Sequence, residues 1–175
     1  PNFNQKIASK KEFTDTKYDD KVYNVKEHSE KMCNERDFEL LPHQTFVRNF
    51  LSFQTPYNNL LLFHGLGTGK TCSAISVCEE MRDYLKQMQI SKRIIIVASP
   101  NVQENFKLQL FDERKLENTN GIWTMKACSG NKFLDEINPM KMRGFSKKKI
   151  IKQIKQIIHS SYLFLGYEQF SNYIG

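Results

Sequence analysis

Leu60-Leu61-Leu62-Phe63-His64-Gly65-Leu66-Gly67-Thr68-Gly69-Lys70-Thr71 is the stretch whose reading decides the fold. Its first four residues are continuously apolar, the pattern of a strand buried on both faces of a parallel sheet. Glycines then crowd a short loop. Beyond it Ala74, Ile75, Cys78, Met81, Leu85 and Met88 mark one face of a helix. Ile94-Ile95-Ile96-Val97-Ala98 reads as a second buried strand. Strand, loop, helix, strand is a βαβ unit with a right-handed crossover. Such units place ligands at the carboxyl ends of their strands.

The loop carries its own chemistry. Gly67 and Gly69 allow backbone angles and close approaches that a Cβ would block. The amides of Gly65, Leu66, Gly67, Thr68 and Gly69 can then turn inward and cradle phosphate oxygens. The positive end of the helix that starts near Lys70 assists them. Lys70 reaches the β- and γ-phosphates, and the Thr71 hydroxyl ligates Mg²⁺, so these two side chains act directly on the triphosphate. The expected cofactors are ATP and Mg²⁺. His64 stands where the pattern G-x-x-x-x-G-K-[ST] wants glycine, which argues against a generic kinase or GTPase. The bland alternative, a chance G-K-T at a strand–helix turn, is opposed by the fit of the flanking strand and helix.

Upstream, Leu41-Pro42-His43-Gln44 opens a helix, with Pro42 tolerated in its first turn. Phe46, Val47, Phe50 and Leu51 recur at helical spacing, and residues 54–59 have turn chemistry. The Gln44 amide can donate to and accept from an adenine edge at once, which would select ATP over GTP. A lone surface glutamine has no such role; its separation from the phosphate loop favours the adenine reading. His43 and His64 read as packing or hydrogen-bonding residues. Downstream, Ser99, Pro100 and Asn101 leave the second strand. They either touch a nucleic-acid phosphate or form a plain strand-to-helix turn with Asn101 as its N-cap. A helix over about 101–117, a strand at Ile122–Met125, a helix striped by Ile150, Ile151, Ile154, Ile157 and Ile158, and a strand at Tyr162–Leu165 complete the pattern. The fold class is α/β, one domain over 38–175 behind a polar extension at 1–37.

Composition agrees. With 175 residues, 39% hydrophobic and 26% charged, the chain can bury a globular core. No apolar run approaches a membrane span, and no secretory signal is visible. Cys33, Cys72, Cys78 and Cys128 have irregular spacing without a C-x-x-C pair, so reduced thiols in an intracellular setting are expected. The net charge of +7 is uneven: no acidic residue lies between Glu136 and Glu168. There Lys148, Lys152 and Lys155 fall mainly opposite the isoleucine stripe. That face either follows a nucleic-acid track, meets a second domain, or is merely solvated.

Taken in order, these blocks resemble the first RecA-like domain of superfamily-two helicases. Leu41-Pro42-His43-Gln44 resembles their adenine-reading Q motif, and Gly65 to Thr71 their phosphate-binding motif. Val97-Ala98-Ser99-Pro100 resembles motif Ia, and Leu165-Gly166-Tyr167-Glu168-Gln169-Phe170 the segment near motif Ib. Within that superfamily, Leu60–His64 leading into Gly67–Thr71 is similar to helicase-like ATPases of large cytoplasmic DNA viruses, of the early transcription factor small subunit and nucleoside triphosphatase I type. The resemblance implies a P-loop NTPase fold and a nucleic-acid-dependent ATPase, with DNA favoured over RNA. It further implies a role in viral transcription, beside RNA polymerase or transcription-factor subunits, in host cytoplasm and virion.

The family also places an Asp-Glu pair after an apolar strand to hold Mg²⁺ and orient water. Asp112-Glu113 comes too soon after the second strand, and Asp135-Glu136 precedes the segment resembling motif Ib. The expectation is therefore a lobe cut short of that motif and lacking the second RecA-like domain. Alone, it should bind ATP weakly and barely hydrolyse it. Two competing functions stand beside the translocase lobe: a nucleotide-bound docking module of a transcription complex, and a small-molecule kinase.

Overall fold

The computed structural model describes residues 5, 6, 9–17, 24, 26, 39–65 and 67–175. Most of the expected extension, together with Phe38 and Leu66 of the phosphate loop, lies outside the described residues.

Helix α1 (Pro42–Phe50) begins as its sequence dictates, with Pro42 at the first helical position, where a missing N–H is harmless. The amide of Leu41 donates to Gln44 Oε1 at 3.0 Å, which satisfies one of the helix's orphan donors. Helix α2 (Lys70–Gln87) packs along α1. There follow β1 (Ile94–Val97), α3 (Pro100–Leu110), β2 (Leu116–Thr119), β3 (Ile122–Met125), α4 (Lys132–Ile137), α5 (Lys147–Ser161), β4 (Tyr162–Leu165) and α6 (Tyr167–Ile174).

β1 and β4 pair in parallel, from Ile94 opposite Tyr162 to Val97 opposite Leu165. β2 and β3 form an antiparallel hairpin. Its turn is Asn120-Gly121, with φ of 54° and 83°, the left-handed conformations that a two-residue hairpin demands. Parallel pairing with interleaved helices agrees with the α/β class, although each sheet among the described residues has two strands. The core gathers Ile75, Leu110, Phe133 and Ile154, with Phe106, Met125, Ile150 and Tyr162 around them. The isoleucine stripe of α5 faces this core as expected.

Several expectations need correction. Leu60–Phe63 is not a strand: it has no sheet partner among the described residues, and Leu61 and Phe63 are 88% and 92% exposed. An apolar run supplies the side chains for a buried strand but not the neighbour that pairs with it. β1 is likewise less enclosed than a doubly covered strand, since Ile95 is exposed. The helix expected to reach residue 117 ends at Leu110, because Phe111 turns extended. Asp112 then caps a single 3₁₀ turn by accepting from the Arg114 amide at 3.0 Å. The N-cap of α3 is Ser99, not Asn101, which lies inside the first turn.

The buried face of α2 carries Ser73, Ile75, Ser76, Glu79 and Arg82, whereas Met88 is exposed. Periodicity missed this because the buried polar groups are paired. Arg82 donates to both Glu79 oxygens, from Nε to Oε1 at 3.2 Å and from Nη2 to Oε2 at 2.8 Å, and to Glu136 at 2.7 Å, and Tyr162 donates to Glu79 at 2.5 Å. Finally, Cys72 and Cys128 are joined in a disulfide with their Cα atoms 5.0 Å apart, against the expectation of reduced thiols. Spacing in sequence could not reveal a pair separated by 56 positions.

Candidate nucleotide-binding site

The phosphate loop has the backbone its glycines foretell. Gly67 and Gly69 adopt φ of 79° and 78°, a region that other L-residues enter at a cost of about 1–2 kcal/mol. Gly69 is also the N-cap of α2. A Cβ added there would strike the Gln44 amide nitrogen, so this glycine is required by conformation and by contact together. The first amides of α2, from Lys70 to Cys72, have no acceptor within the helix. They form the positive end of an 18-residue helix, next to a loop exposed at Gly65, Gly67, Thr68 and Lys70.

Lys70 folds back over this loop, with Nζ donating to the carbonyls of His64 at 3.2 Å and Gly65 at 2.8 Å. The Thr68 hydroxyl also donates to Gly65 O, at 2.9 Å. The ammonium thus rests on the carbonyls at the start of the loop, and phosphate oxygens would replace those two carbonyls as its acceptors. Thr71 follows in the first turn of α2. These groups could serve a triphosphate with its magnesium ion: Lys70 would supply charge, Thr71 a hydroxyl, and the helix amides neutral donors.

Helix α1 braces the loop from the side. Gln44 is 4% exposed, and its amide is committed at both ends, accepting from Leu41 and donating to Gly69 O at 3.4 Å. In this arrangement Gln44 supports the loop. His43, read in the sequence as a packing or hydrogen-bonding residue, hydrogen-bonds Thr68 O through Nε2 at 2.9 Å and meets the His64 ring edge-on at 5.6 Å. A His beside a Gln at a helix start is common; only the folded chain shows that it reaches the loop.

Two proteins of Acanthamoeba polyphaga mimivirus, both named as ATP-dependent RNA helicases, are similar to this chain: 30% identical over 100 residues and 34% identical over 82 residues. Those matches cover 57% and 47% of this chain. A protein of Invertebrate iridescent virus 3 named as helicase 087L is 30% identical over 113 residues, or 61% of the chain. The chain is related to the helicases of large DNA viruses. It spans only 16%, 7% and 11% of the length of these three relatives. No family model and no solved structure matches it.

Ser99 and Pro100 start α3, directly beyond the carboxyl end of β1, and Pro100 and Asn101 are exposed. Lys148 and Lys152 are exposed on α5, while Lys155 pairs with Glu113 at 3.0 Å. Glu136 lies on α4, bound to Arg82 at 2.7 Å and Lys86 at 2.9 Å, and is therefore committed to structure. Burial alone would raise its pKa, but hydrogen bonds from Lys86 and Arg82 outweigh that and lower it. Asp112 is held down to about 2, first by the Arg114 side chain and then by the Arg114 amide. Burial raises the Tyr162 phenol far above its usual range, and the neighbouring Glu79 charge adds to the effect. Neither Asp-Glu pair stands at the end of a strand facing the loop. Among the described residues no cluster of His, Cys, Asp and Glu could hold a metal ion, and no helix is long and apolar enough to cross a membrane.

Proposed function

We propose that this chain is the ATP-binding part of the first RecA-like lobe of a nucleic-acid-dependent ATPase of the helicase family. One observation carries the reading. Lys70 opens a long helix behind a loop turned by left-handed Gly67 and Gly69, and α1 buttresses that loop through Gln44 and His43. Each part answers a need of a triphosphate. Helix amides and Lys70 meet the negative charge, Thr71 offers its hydroxyl to the metal, and the glycines let the backbone approach. The relatives' names, which specify ATP-dependent helicases, support ATP as the nucleotide. When bound, magnesium offsets charge on the transferring phosphoryl group. The chain's own residues bind and orient the tail.

The same proposal explains the open Leu60–Phe63 segment. In a complete RecA-like sheet it is a central strand, and the greater length of the relatives leaves ample polypeptide to supply its neighbours. The relatives' greater length also leaves room for Mg²⁺-holding carboxylates and a second RecA-like domain. Ser99, Pro100 and Asn101 at the carboxyl end of β1, and Lys148, Lys152 and Lys155 on α5, are proposed nucleic-acid contacts, with DNA favoured over RNA. Work in viral transcription, in host cytoplasm and virion, is the corresponding biological setting.

ATPase assays on the parent protein with single-stranded DNA, duplex DNA and RNA test this reading. Stimulation by nucleic acid, abolished by Lys70→Ala, is expected. Nucleotide binding without turnover under any of these conditions favours instead a docking module of a transcription complex, the reading suited to a chain whose own Asp-Glu pairs lie away from the loop.

A further inference from the structure

Cys72 directly follows the phosphate-loop threonine and lies in the first turn of α2. Its disulfide partner, Cys128, lies in the connection between β3 and α4. That connection is firmly fastened. The Cys128 amide donates to Gln109 O at 3.2 Å, Ser129 Oγ donates to Leu110 O at 2.8 Å, and the Met125 amide donates to Asn131 Oδ1 at 2.8 Å. On the other side, the phosphate loop is exposed and meets α1 through His43 and Gln44. The disulfide therefore ties the anchoring turn of an exposed loop to a buried, hydrogen-bonded part of the core.

We propose that Cys72 and Cys128 form a reversible redox site, closed by a small-molecule disulfide such as oxidised glutathione and opened by thiols, whose closure tightens nucleotide binding at the adjoining loop. The second half of this claim rests on the nucleotide-binding reading above.

The chemistry balances as two exchanges. The Cys72 thiolate attacks one sulfur of the small disulfide, forming a mixed disulfide and expelling one thiolate. The Cys128 thiolate then attacks the Cys72 sulfur and expels the second. Two protein thiols are oxidised and one small disulfide is reduced to two thiols, which take up the protons the protein lost. Cys72 is the better attacker. It is the less buried of the pair, with Cys128 only 7% exposed, and it lies in the first turn of α2, next to the exposed loop, within easier reach of a small disulfide. Cys78 does not compete. Burial, aided by the Glu79 charge, pushes its thiol up to about 12, so it stays protonated.

Closure acts on binding by fixing the first turn of α2 before the ligand arrives, so less ordering is left to be done on association. Linkage demands the reverse as well: bound nucleotide must favour the disulfide by the same factor.

The test equilibrates the chain in graded mixtures of reduced and oxidised glutathione, with and without Mg-ATP, then alkylates it and maps the cysteine peptides by mass. A fluorescent ATP analogue is titrated into the oxidised and reduced forms and into Cys128→Ser. A Cys72–Cys128 peptide, affinity higher by about fivefold or more in the oxidised form, and an equal shift of the glutathione midpoint by Mg-ATP are expected. Cys128→Ser should bind like reduced protein whatever the glutathione ratio. Absence of the linked peptide at every ratio overturns the redox site. Equal affinity in both forms overturns the coupling while leaving the nucleotide reading intact. Binding in neither form overturns that reading and the coupling with it, while the peptide map still decides the thiol pair.

Discussion

Replacing Gly69 with alanine separates two reasons for a glycine in the phosphate loop, because Gly67 provides an internal control. Both residues have nearly the same left-handed backbone, φ 78° and 79°. An added Cβ meets nothing within 4 Å at Gly67, but meets the Gln44 amide at Gly69. Gly67→Ala should therefore pay only the conformational penalty of about 1–2 kcal/mol. That is offset in part by about 0.4–1 kcal/mol from the less flexible unfolded chain, for a net loss of about 1 kcal/mol. Gly69→Ala carries the same net term and also displaces a buried amide from its bonds with Leu41 and Gly69. Leaving such groups unsatisfied costs about 1–3 kcal/mol. The total is about 3 kcal/mol.

In a chain of this size each 1 kcal/mol moves the melting temperature by about 2–4 °C. Thermal unfolding followed by circular dichroism should thus show a drop of about 3 °C for Gly67→Ala and about 9 °C for Gly69→Ala. A double-mutant cycle with Gln44→Ala isolates the contact, since Gly69→Ala should cost only about 1 kcal/mol once the Gln44 side chain is gone. Equal melting shifts for the two glycine variants, or strict additivity of Gly69→Ala with Gln44→Ala, would refute the claim that α1 presses on the loop through Gln44.

Arg82→Met should destabilise the chain by about 3–5 kcal/mol in urea denaturation, because it strips the guanidinium from Glu79, which is 2% exposed, while Glu136 keeps Lys86. Adding Glu79→Gln should recover part of that loss, and no recovery would place the cost in packing over Phe133. Asp112 gives a pH signature. Its folded pKa is depressed to about 2, so its stabilisation is present above the unfolded value near 4 and fades as pH falls toward 2. Because its partner Arg114 is largely solvent-exposed, about 1 kcal/mol is the expected size after screening. Acid titrations of Asp112→Asn against wild type should converge below that window, and parallel curves would exclude the pair. Neutralising Lys148, Lys152 and Lys155 in the parent protein should lower the salt slope of single-stranded nucleic-acid binding by up to about 2, less if Lys155 stays with Glu113; an unchanged slope makes them a solvated face.

What was legible in the sequence was local. Pro42 in the first turn of α1, the isoleucines of α5, and the glycines before Lys70 each express a short-range rule, and the structure follows them. So do β1, β3 and β4. What escaped depends on partners far along the chain. Leu60–Phe63 has the composition of a strand, yet pairing is not a property of four residues. Glu79 and Arg82 are buried with Tyr162 and Glu136 as partners, while Ser73 and Ser76 turn their hydroxyls onto the carbonyls of Gly69 and Ser73. His43 joins the site across 25 positions and Cys72 meets Cys128 across 56, distances at which spacing carries no signal. The hairpin escaped too, although Asn120-Gly121 is a short-range turn signal, because the helix expected over 101–117 ran across the start of β2.

The central claim is that the loop ending in Lys70 and Thr71 grips a triphosphate. Titration calorimetry of Mg-ATP into the intact parent protein, beside Lys70→Ala, tests it most directly. One bound nucleotide per chain, with heat lost in the variant at unchanged melting temperature, is the expected result. Absence of binding by the wild type, or undiminished affinity in Lys70→Ala, would contradict it.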